Sequence, residues 1–384
     1  MRLALVHDDL MQWGGAERLV AALMELWPAA PLYVACYDRQ ILPPSFPHQR
    51  LRTSFIQKIP LYKKFYQQLF FLHPLAFESF NFRDYDLVIS STTRFAKSII
   101  TSPNTFHLCY CNTPNRPLWF FHYYQSRRSS WGRRYLEKIF LPPLLGGLRV
   151  HDFIAAQRVD LFVANSRHIA RRIKKIYHRR ARVIYPFVDT ERFQQPVAAA
   201  QIPSSLPRPR DFYLIVSRLS KAKRIDLAIK AVAKLKANLV IIGRGQEEKK
   251  LRQQARSIPG IYFLGWQPDS VITFYYQNCR ALLYPQLEDF GITALEAQAA
   301  GRPVIAFRGG GALETVREGE TGLFFAPATA EALAAAIKKA ARIKFSPARC
   351  RAQAARFSRE RFLKEFRTLV KEIMKERGSK KANK

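Results

Sequence analysis

The chain alternates twice between short, continuous apolar runs and longer stretches with helical spacing, and this alternation limits its fold more than any other feature. The runs at Leu3–Val6, Pro31–Ala35, Leu87–Ser90, Phe106–Cys109, Leu161–Ala164 and Arg182–Tyr185 read as buried strands. The series restarts at Tyr213–Val216, Leu239–Ile242, Ile261–Leu264, Ala281–Tyr284 and Pro303–Ala306. Helical patterns separate or follow them at Ala16–Leu26, Asp226–Lys236, Glu247–Ala255, Ala294–Ala300 and Ala330–Ala341. Strands without polar alternation are buried on both faces, as in a parallel sheet between helix layers. Between the two series, Pro196, Pro203, Pro207 and Pro209 punctuate the stretch Gln195–Arg210, which reads as a linker.

At 384 residues the chain is too long for one ordinary core and suits two domains. The expected architecture is α/β, with two Rossmann-like domains facing across a cleft that holds the active site. Residues 1–198 form the first domain, 199–210 the linker and 211–357 the second domain. An amphipathic helix over 358–377 carries Phe362, Phe366, Leu369, Val370 and Ile373 on one stripe, and 378–384 form a frayed basic tail.

Charge narrows the partners. Lys and Arg number 63 against 29 Asp and Glu, a formal net charge of +34. Such a surplus implies an anionic partner: nucleic acid, an acidic membrane surface or a phosphorylated substrate. No zinc-finger spacing, RNA-binding aromatic signature or heptad-linked basic region marks a specific nucleic-acid binder. Five scattered cysteines read as buried thiols, and His7, His122, His151 and His168 share no metal-ligand spacing. The apolar start is too brief for a signal peptide and no run is long enough to span a bilayer. The expected location is cytoplasmic, peripheral on the cytosolic face of the inner membrane. Aromatic and basic residues mix at Ile56–Phe71 and at Leu118–Tyr135, a composition suited to acidic lipid as well as to core packing with a solvated basic rim.

The chemistry concentrates in Tyr284–Pro303. A strand ends near Pro285, a loop carries Glu288 and Gly291, and a helix that includes Glu296 begins around there. Helix-start amides suit phosphate. Glu296 is placed to accept hydrogen bonds from a ribose diol, and Glu288 to face a sugar. Glu288 and Glu296 resemble the E-x7-E signature of retaining glycosyltransferases of the GT-B fold. Pro285, Asp289-Phe290-Gly291, Gly301-Arg302-Pro303-Val304 and Gly309-Gly310-Gly311 with Glu314 resemble family 4, the glycosyltransferase group 1 type. Arg218 and Lys223 resemble that family's diphosphate-binding pair. Gly243-Arg244-Gly245 resembles its nucleotide-side turn, and Gly14-Gly15-Ala16-Glu17 its first-domain glycine loop. Asn165-Ser166, Arg172-Ile173 and Tyr185-Pro186 resemble the end of its first domain.

The resemblance implies roles. Arg218, Lys223 and Glu288 are the catalytic set, the two cations neutralising a leaving diphosphate without a metal ion or other cofactor. Gly14, Gly15, Gly243, Gly245, Phe290, Gly291, Ile292 and Glu296 are the donor-binding residues. Asn112 and Arg116 lie on the acceptor or sugar side. Asn112 stands where many relatives carry His, and an amide cannot exchange a proton as an imidazole does. Within the family the chain is similar to bacterial mannosyltransferases that act on lipid-linked saccharides. It is thus expected to move a hexose from a nucleotide diphosphate sugar, GDP-mannose before UDP-sugars, to a saccharide or lipid-linked acceptor in cell-surface polysaccharide or glycolipid synthesis. A catalytically silent nucleotide-sugar binder of the same fold, or a basic nucleic-acid-binding protein, is the alternative.

Overall fold

A computed structural model of the chain describes residues 1–66, 68–120, 131–195, 197 and 211–382, and the side chains of all of these except 131–141 and 380–382. They form two compact units, Met1–Tyr185 with Leu363–Lys384, and Pro186–Phe362. The expected linker falls outside the described residues, as does His122.

The first unit holds β1 (Leu3–His7), β2 (Leu32–Val34), β3 (Leu51–Thr53), β4 (Leu87–Thr92), β5 (Phe106–Cys111), β6 (Leu161–Ala164) and β7 (Ala181–Val183). They pair in the order β3-β2-β1-β4-β5-β6-β7, every neighbour parallel. The second unit holds β8 (Phe212–Val216), β9 (Asn238–Ile242), β10 (Ile261–Gly265), β11 (Leu282–Tyr284), β12 (Val304–Phe307) and β13 (Gly322–Phe325). Their order, β10-β9-β8-β11-β12-β13, is again parallel throughout. Each sheet reverses its strand order once, between β1 and β4 and between β8 and β11. At such a point the loops leaving the carboxyl ends of the two strands part and frame a crevice.

Period-two alternation feeds a core on each face of each sheet. In the second unit Tyr213, Ile215, Leu239, Ile241, Leu283 and Ile305 pack with the helices Ile225–Leu235 and Ala330–Ala341. On the opposite face Phe212 meets Tyr275 of the helix Asp269–Asn278 edge-on at 5.8 Å. In the first unit Ala4, Val6 and Val88 pack with Phe77, Phe95 and Leu148. There a buried Lys97–Asp152 ion pair is completed by the Trp119 indole and the Tyr177 phenol, both donating to Asp152 at 2.8 and 2.7 Å. All five cysteines are buried free thiols, and burial pushes Cys36, Cys109 and Cys279 up to about 12, which keeps them protonated and unreactive.

Two expectations are corrected, and four elements went unread. Pro186–Gln194 belongs with the second unit rather than the first. The helix Thr190–Gln194 sets Phe193 against Tyr276 at 5.4 Å, Gln277 donates to the Phe193 carbonyl, and Arg192 pairs with Asp269. The last helix runs unbroken from Arg359 to Ala382, through the stretch read as a frayed tail. Its cationic end suits the negative pole of a helix C-terminus, and Arg377 donates to the Asn104 carbonyl at 2.6 Å. Finally, the strands β3 and β13 and the helices Asp269–Asn278 and Pro347–Ala355 carry no clear period in the sequence. The last helix returns to pack in the first unit, where Phe366 meets Trp27 at 6.2 Å and Tyr110 at 5.9 Å.

Candidate functional site

The loop after β8 and the loop after β11 meet at the reversal point of the second sheet, and there Lys223 Nζ donates to Glu288 Oε1. Lys223 closes the short helical turn Lys221–Lys223, and Glu288 sits four residues beyond the end of β11. Both side chains are largely but not fully buried, at 23% and 15% exposure, so the pair is sheltered yet reachable. Arg218, two residues past β8, is exposed on the same loop.

Glycine makes this packing possible. The loop after β9 presses on the Arg218 loop so closely that a Cβ on Gly243 would lie 1.9 Å from the Ser217 carbonyl oxygen. A Cβ on Gly245 would lie 2.2 Å from that of Leu219. The backbones are joined by Ser217 N–H to Ile242 and Leu219 N–H to Arg244, at 3.0 and 2.9 Å. The loop after β12 does the same to the Glu288 loop. A Cβ on Gly310, whose φ is +62°, would lie 2.2 Å from the Glu288 carbonyl oxygen, and Gly311 N–H donates to that oxygen at 2.8 Å. Glu288 therefore stands on a backbone clamped from below.

Just beyond it, Gly291 caps the helix Ile292–Ala299 with φ +103°. The first-turn N–H groups of a helix have no acceptor inside the helix. Phe290 is buried and meets Phe357 edge-on at 5.6 Å, which anchors the loop end of that turn. Glu296, on the same helix, accepts the Tyr276 phenol at 2.8 Å. Burial and then the Glu296 charge raise the Tyr276 pKa well above its ordinary value, so it stays a donor.

The remaining expected residues lie in the first unit, again at the sheet's reversal. Gly14 caps the helix Gly15–Leu26, and its N–H donates to Glu17 at 2.9 Å. Glu17 also accepts from Gln12 at 3.1 Å and lies 3.8 Å from His7 Nε2. His7 ends β1, and its other ring nitrogen reaches the Ser91 carbonyl at 3.0 Å. Asn112, just past β5, donates to Ser91 Oγ at 3.1 Å and takes a bond from Asn165 on its carbonyl at 2.8 Å. Arg116 opens the short helix Arg116–Trp119. Burial alone would lower the His7 pKa; the Glu17 hydrogen bond and charge, with Asp8 and Asp9, outweigh it and raise the value. Burial would raise Glu17, and His7 and Gln12 bring it below the ordinary value instead. Asp8 accepts from Arg94, Phe95 and Ala96 amides at 2.9, 2.8 and 2.7 Å, which ties the β1 loop to the β4 loop.

The expected residues thus gather in two groups, one per unit. Sequence reasoning missed Tyr276, Glu17, His7 and Asp8 as supports of the site. Glu17 alone carried a signal: an acid three residues after the helix-capping Gly14 is the reach-back half of a capping box. Among the described residues no cluster of three or more His, Cys, Asp or Glu is placed to hold a metal ion.

Two parallel sheets, each with its loop site at the strand-order reversal, define the GT-B class, and solved structures agree. Anabaena Alr3699/HepE in complex with UDP superposes with a TM-score of 0.70 over 97% of this chain and 100% of its own, at 18% identity. Sucrose-phosphate synthase from Thermosynechococcus elongatus gives 0.72 over 97% and 99%, also at 18% identity. Within that class residues 13–192 match the Glycosyltransferase Family 4 domain and residues 200–357 match the Glycosyl transferases group 1 domain. The D-inositol 3-phosphate glycosyltransferase of Acidothermus cellulolyticus is 33% identical over 195 residues, 45% of this chain and 43% of that protein. The alpha-1,3/1,6-mannosyltransferase ALG2 of Rhizomucor pusillus is 27% identical over 261 residues, 56% and 54%. The chain spans about half the length or less of these curated relatives.

Proposed function

We propose that the protein is a retaining hexosyltransferase that moves a sugar from a nucleotide diphosphate sugar to a saccharide acceptor carried on a lipid. The observation that carries this reading is the Lys223–Glu288 pair, assembled at the reversal of the second sheet and braced by two glycine loops. A donor there meets its charges in order. Lys223 and Arg218 face the diphosphate, whose negative charge grows as the bond between the sugar C1 and the phosphate oxygen breaks. Preorganised cations stabilise such developing charge without reorganisation. Glu288 holds sugar hydroxyls, the amides of Phe290, Gly291 and Ile292 face the phosphates, and Glu296, oriented by Tyr276, accepts from the ribose.

The acceptor oxygen attacks C1 from the side the diphosphate leaves. Its proton passes to the departing phosphate oxygen, so configuration is retained and no protein nucleophile takes part. Asn112 fits this route, since its amide orients a hydroxyl but carries no proton away. Two fixed cations supply the charge a divalent ion would otherwise bring, so transfer proceeds in chelator. The donor proposed first is GDP-mannose. The support is the likeness to a mannosyltransferase, while the UDP in the HepE complex keeps UDP-sugars in the trial.

The test is transfer itself. Purified protein is incubated with labelled GDP-mannose, UDP-glucose or UDP-N-acetylglucosamine and a bacterial lipid extract, in chelator. Label from one donor is expected to enter the organic phase, and to stay in water with Glu288→Gln. Label that stays in water for every donor, or transfer by Glu288→Gln at the wild-type rate, contradicts the proposal.

A further inference from the structure

The helix Trp131–Gln157 is turned inside out for a surface helix. Among its residues with described side chains the one acid, Asp152, is fully buried in the Lys97 ion pair, while Leu144, Val150 and Ile154 stand 43%, 60% and 51% exposed on the outer side. A helix apolar toward both core and solvent ordinarily has a cover on each side. The neighbouring segment repeats the anomaly. From Phe55 to Leu75 the chain makes short helical turns whose inner residues join the same core cluster as Leu145 and Leu148. Its outer residues Leu61, Phe65, Phe71 and Leu75 are 68%, 42%, 42% and 58% exposed. Just past Leu75, Glu78 of the helix His73–Glu78 meets His151 of the long helix at 3.0 Å.

The exposed charges around these residues are mostly positive. Lys58, Lys63 and Lys64 are exposed among the apolar residues of the first segment. The helix Arg167–Tyr177, which packs on the inside-out helix, exposes Arg167, Arg171, Lys174 and Lys175 and contains no acid. The nearby acids are engaged, Asp38 with Lys63 and Glu78 with Arg158 and His151. Apolar side chains that stand out where exposed cations outnumber acids match an acidic bilayer, where the rings enter the headgroup layer and the cations meet lipid phosphate.

We infer that this face of the first unit, the exposed apolar and basic residues of the Phe55–Leu75 turns with Leu144, Val150 and Ile154 of the long helix, docks on acidic phospholipid, a proposal that rests on the lipid-linked acceptor above. Docking by both terms requires acidic lipid and weakens with salt. Each exposed lysine removed costs about fivefold in vesicle affinity.

The experiment is cosedimentation of the full chain with vesicles of phosphatidylcholine alone or with a third of phosphatidylglycerol. The wild type is expected to pellet only with the acidic vesicles, less so in high salt. The variants Leu61→Glu/Phe65→Glu and Val150→Glu/Ile154→Glu are expected to stay in solution, and Trp266→Glu, an equally exposed apolar residue of the second unit, to pellet as the wild type does. Donor binding by thermal shift, read on every variant, reports both folding and the transferase site. Equal pelleting with neutral vesicles, or acidic pelleting unchanged in both double variants, overturns the inference. So does a wild-type dimer in sedimentation velocity that Val150→Glu/Ile154→Glu converts to monomer, since a second copy is then the cover. Vesicle binding without any donor response instead counts against the transferase reading and leaves the docking face standing.

Discussion

Glu296 and Tyr276 show how one hydrogen bond can set a binding site. The phenol donates to the carboxylate at 2.8 Å from within a buried position, which fixes how the carboxylate is turned. A hydrogen bond to a charged group contributes about 1.5–3 kcal/mol. Tyr276→Phe is therefore expected to raise the donor KM roughly ten- to a hundredfold while kcat changes little. Steady-state kinetics at varied donor check this; an unchanged KM would remove Glu296 from the site. In the first unit, His7 and Glu17 act as a pair whose strength depends on pH. The raised His7 pKa gives stability that is complete below its ordinary 6.5 and lost as pH rises through the folded value. The lowered Glu17 pKa gives stability that is complete above its ordinary 4.5 and lost as pH falls through its folded value. The pair is strongest between those two values. Urea unfolding of Glu17→Gln is expected to show a larger deficit against wild type at about pH 5.5 than at about pH 8. A deficit that grows toward the alkaline side would refute the pairing.

Among elements, the loops after β9 and β12 matter more than the helices they precede. Gly310→Ala would drive a Cβ into the Glu288 carbonyl from a backbone at φ +62°, so the Glu288 loop must move. A displacement near 1 Å costs on the order of a hundredfold in rate. The expected result is a loss of that size in kcat, with far-UV circular dichroism unchanged; full activity would show that the loop carries no part of the site. This bracing was half legible in the sequence. Gly243 and Gly245 stood out by their motif, and Gly310 and Gly311 by theirs. The contacts that require them join loops far apart in the chain, which no local pattern encodes. The same limit hid the helix Asp269–Asn278. Its Val271, Ile272, Phe274, Tyr275 and Tyr276 are strand formers, and only packing against β8 and the helix Thr190–Gln194 makes them helical. The strands that read clearly, such as β4 and β9, are the ones buried on both faces. The three-residue β3 offers too few residues for any period.

At the scale of the whole molecule, both sheets place their chemistry at the single reversal of strand order, and in each the loops from the two sides are joined by a charged contact. In the first unit Asp8 and Asp9 hold the Arg94 loop, and in the second Lys223 holds Glu288. The sequence disclosed the second junction through Glu288, Glu296, Arg218 and Lys223, because their types and spacing together resemble a family signature. The first stayed hidden, because Asp8 serves backbone amides and such an acid looks like any other. In the function proposed, the Lys223–Glu288 junction binds the donor at its diphosphate. Isothermal titration of GDP-mannose, UDP-glucose and UDP-N-acetylglucosamine into wild type and Lys223→Ala, in chelator, tests it most directly. One nucleotide sugar is expected to bind the wild type, and Lys223→Ala to lose at least tenfold in affinity, about 1.4 kcal/mol. Binding of that donor to Lys223→Ala with wild-type affinity, or of none of the three to the wild type, would contradict it.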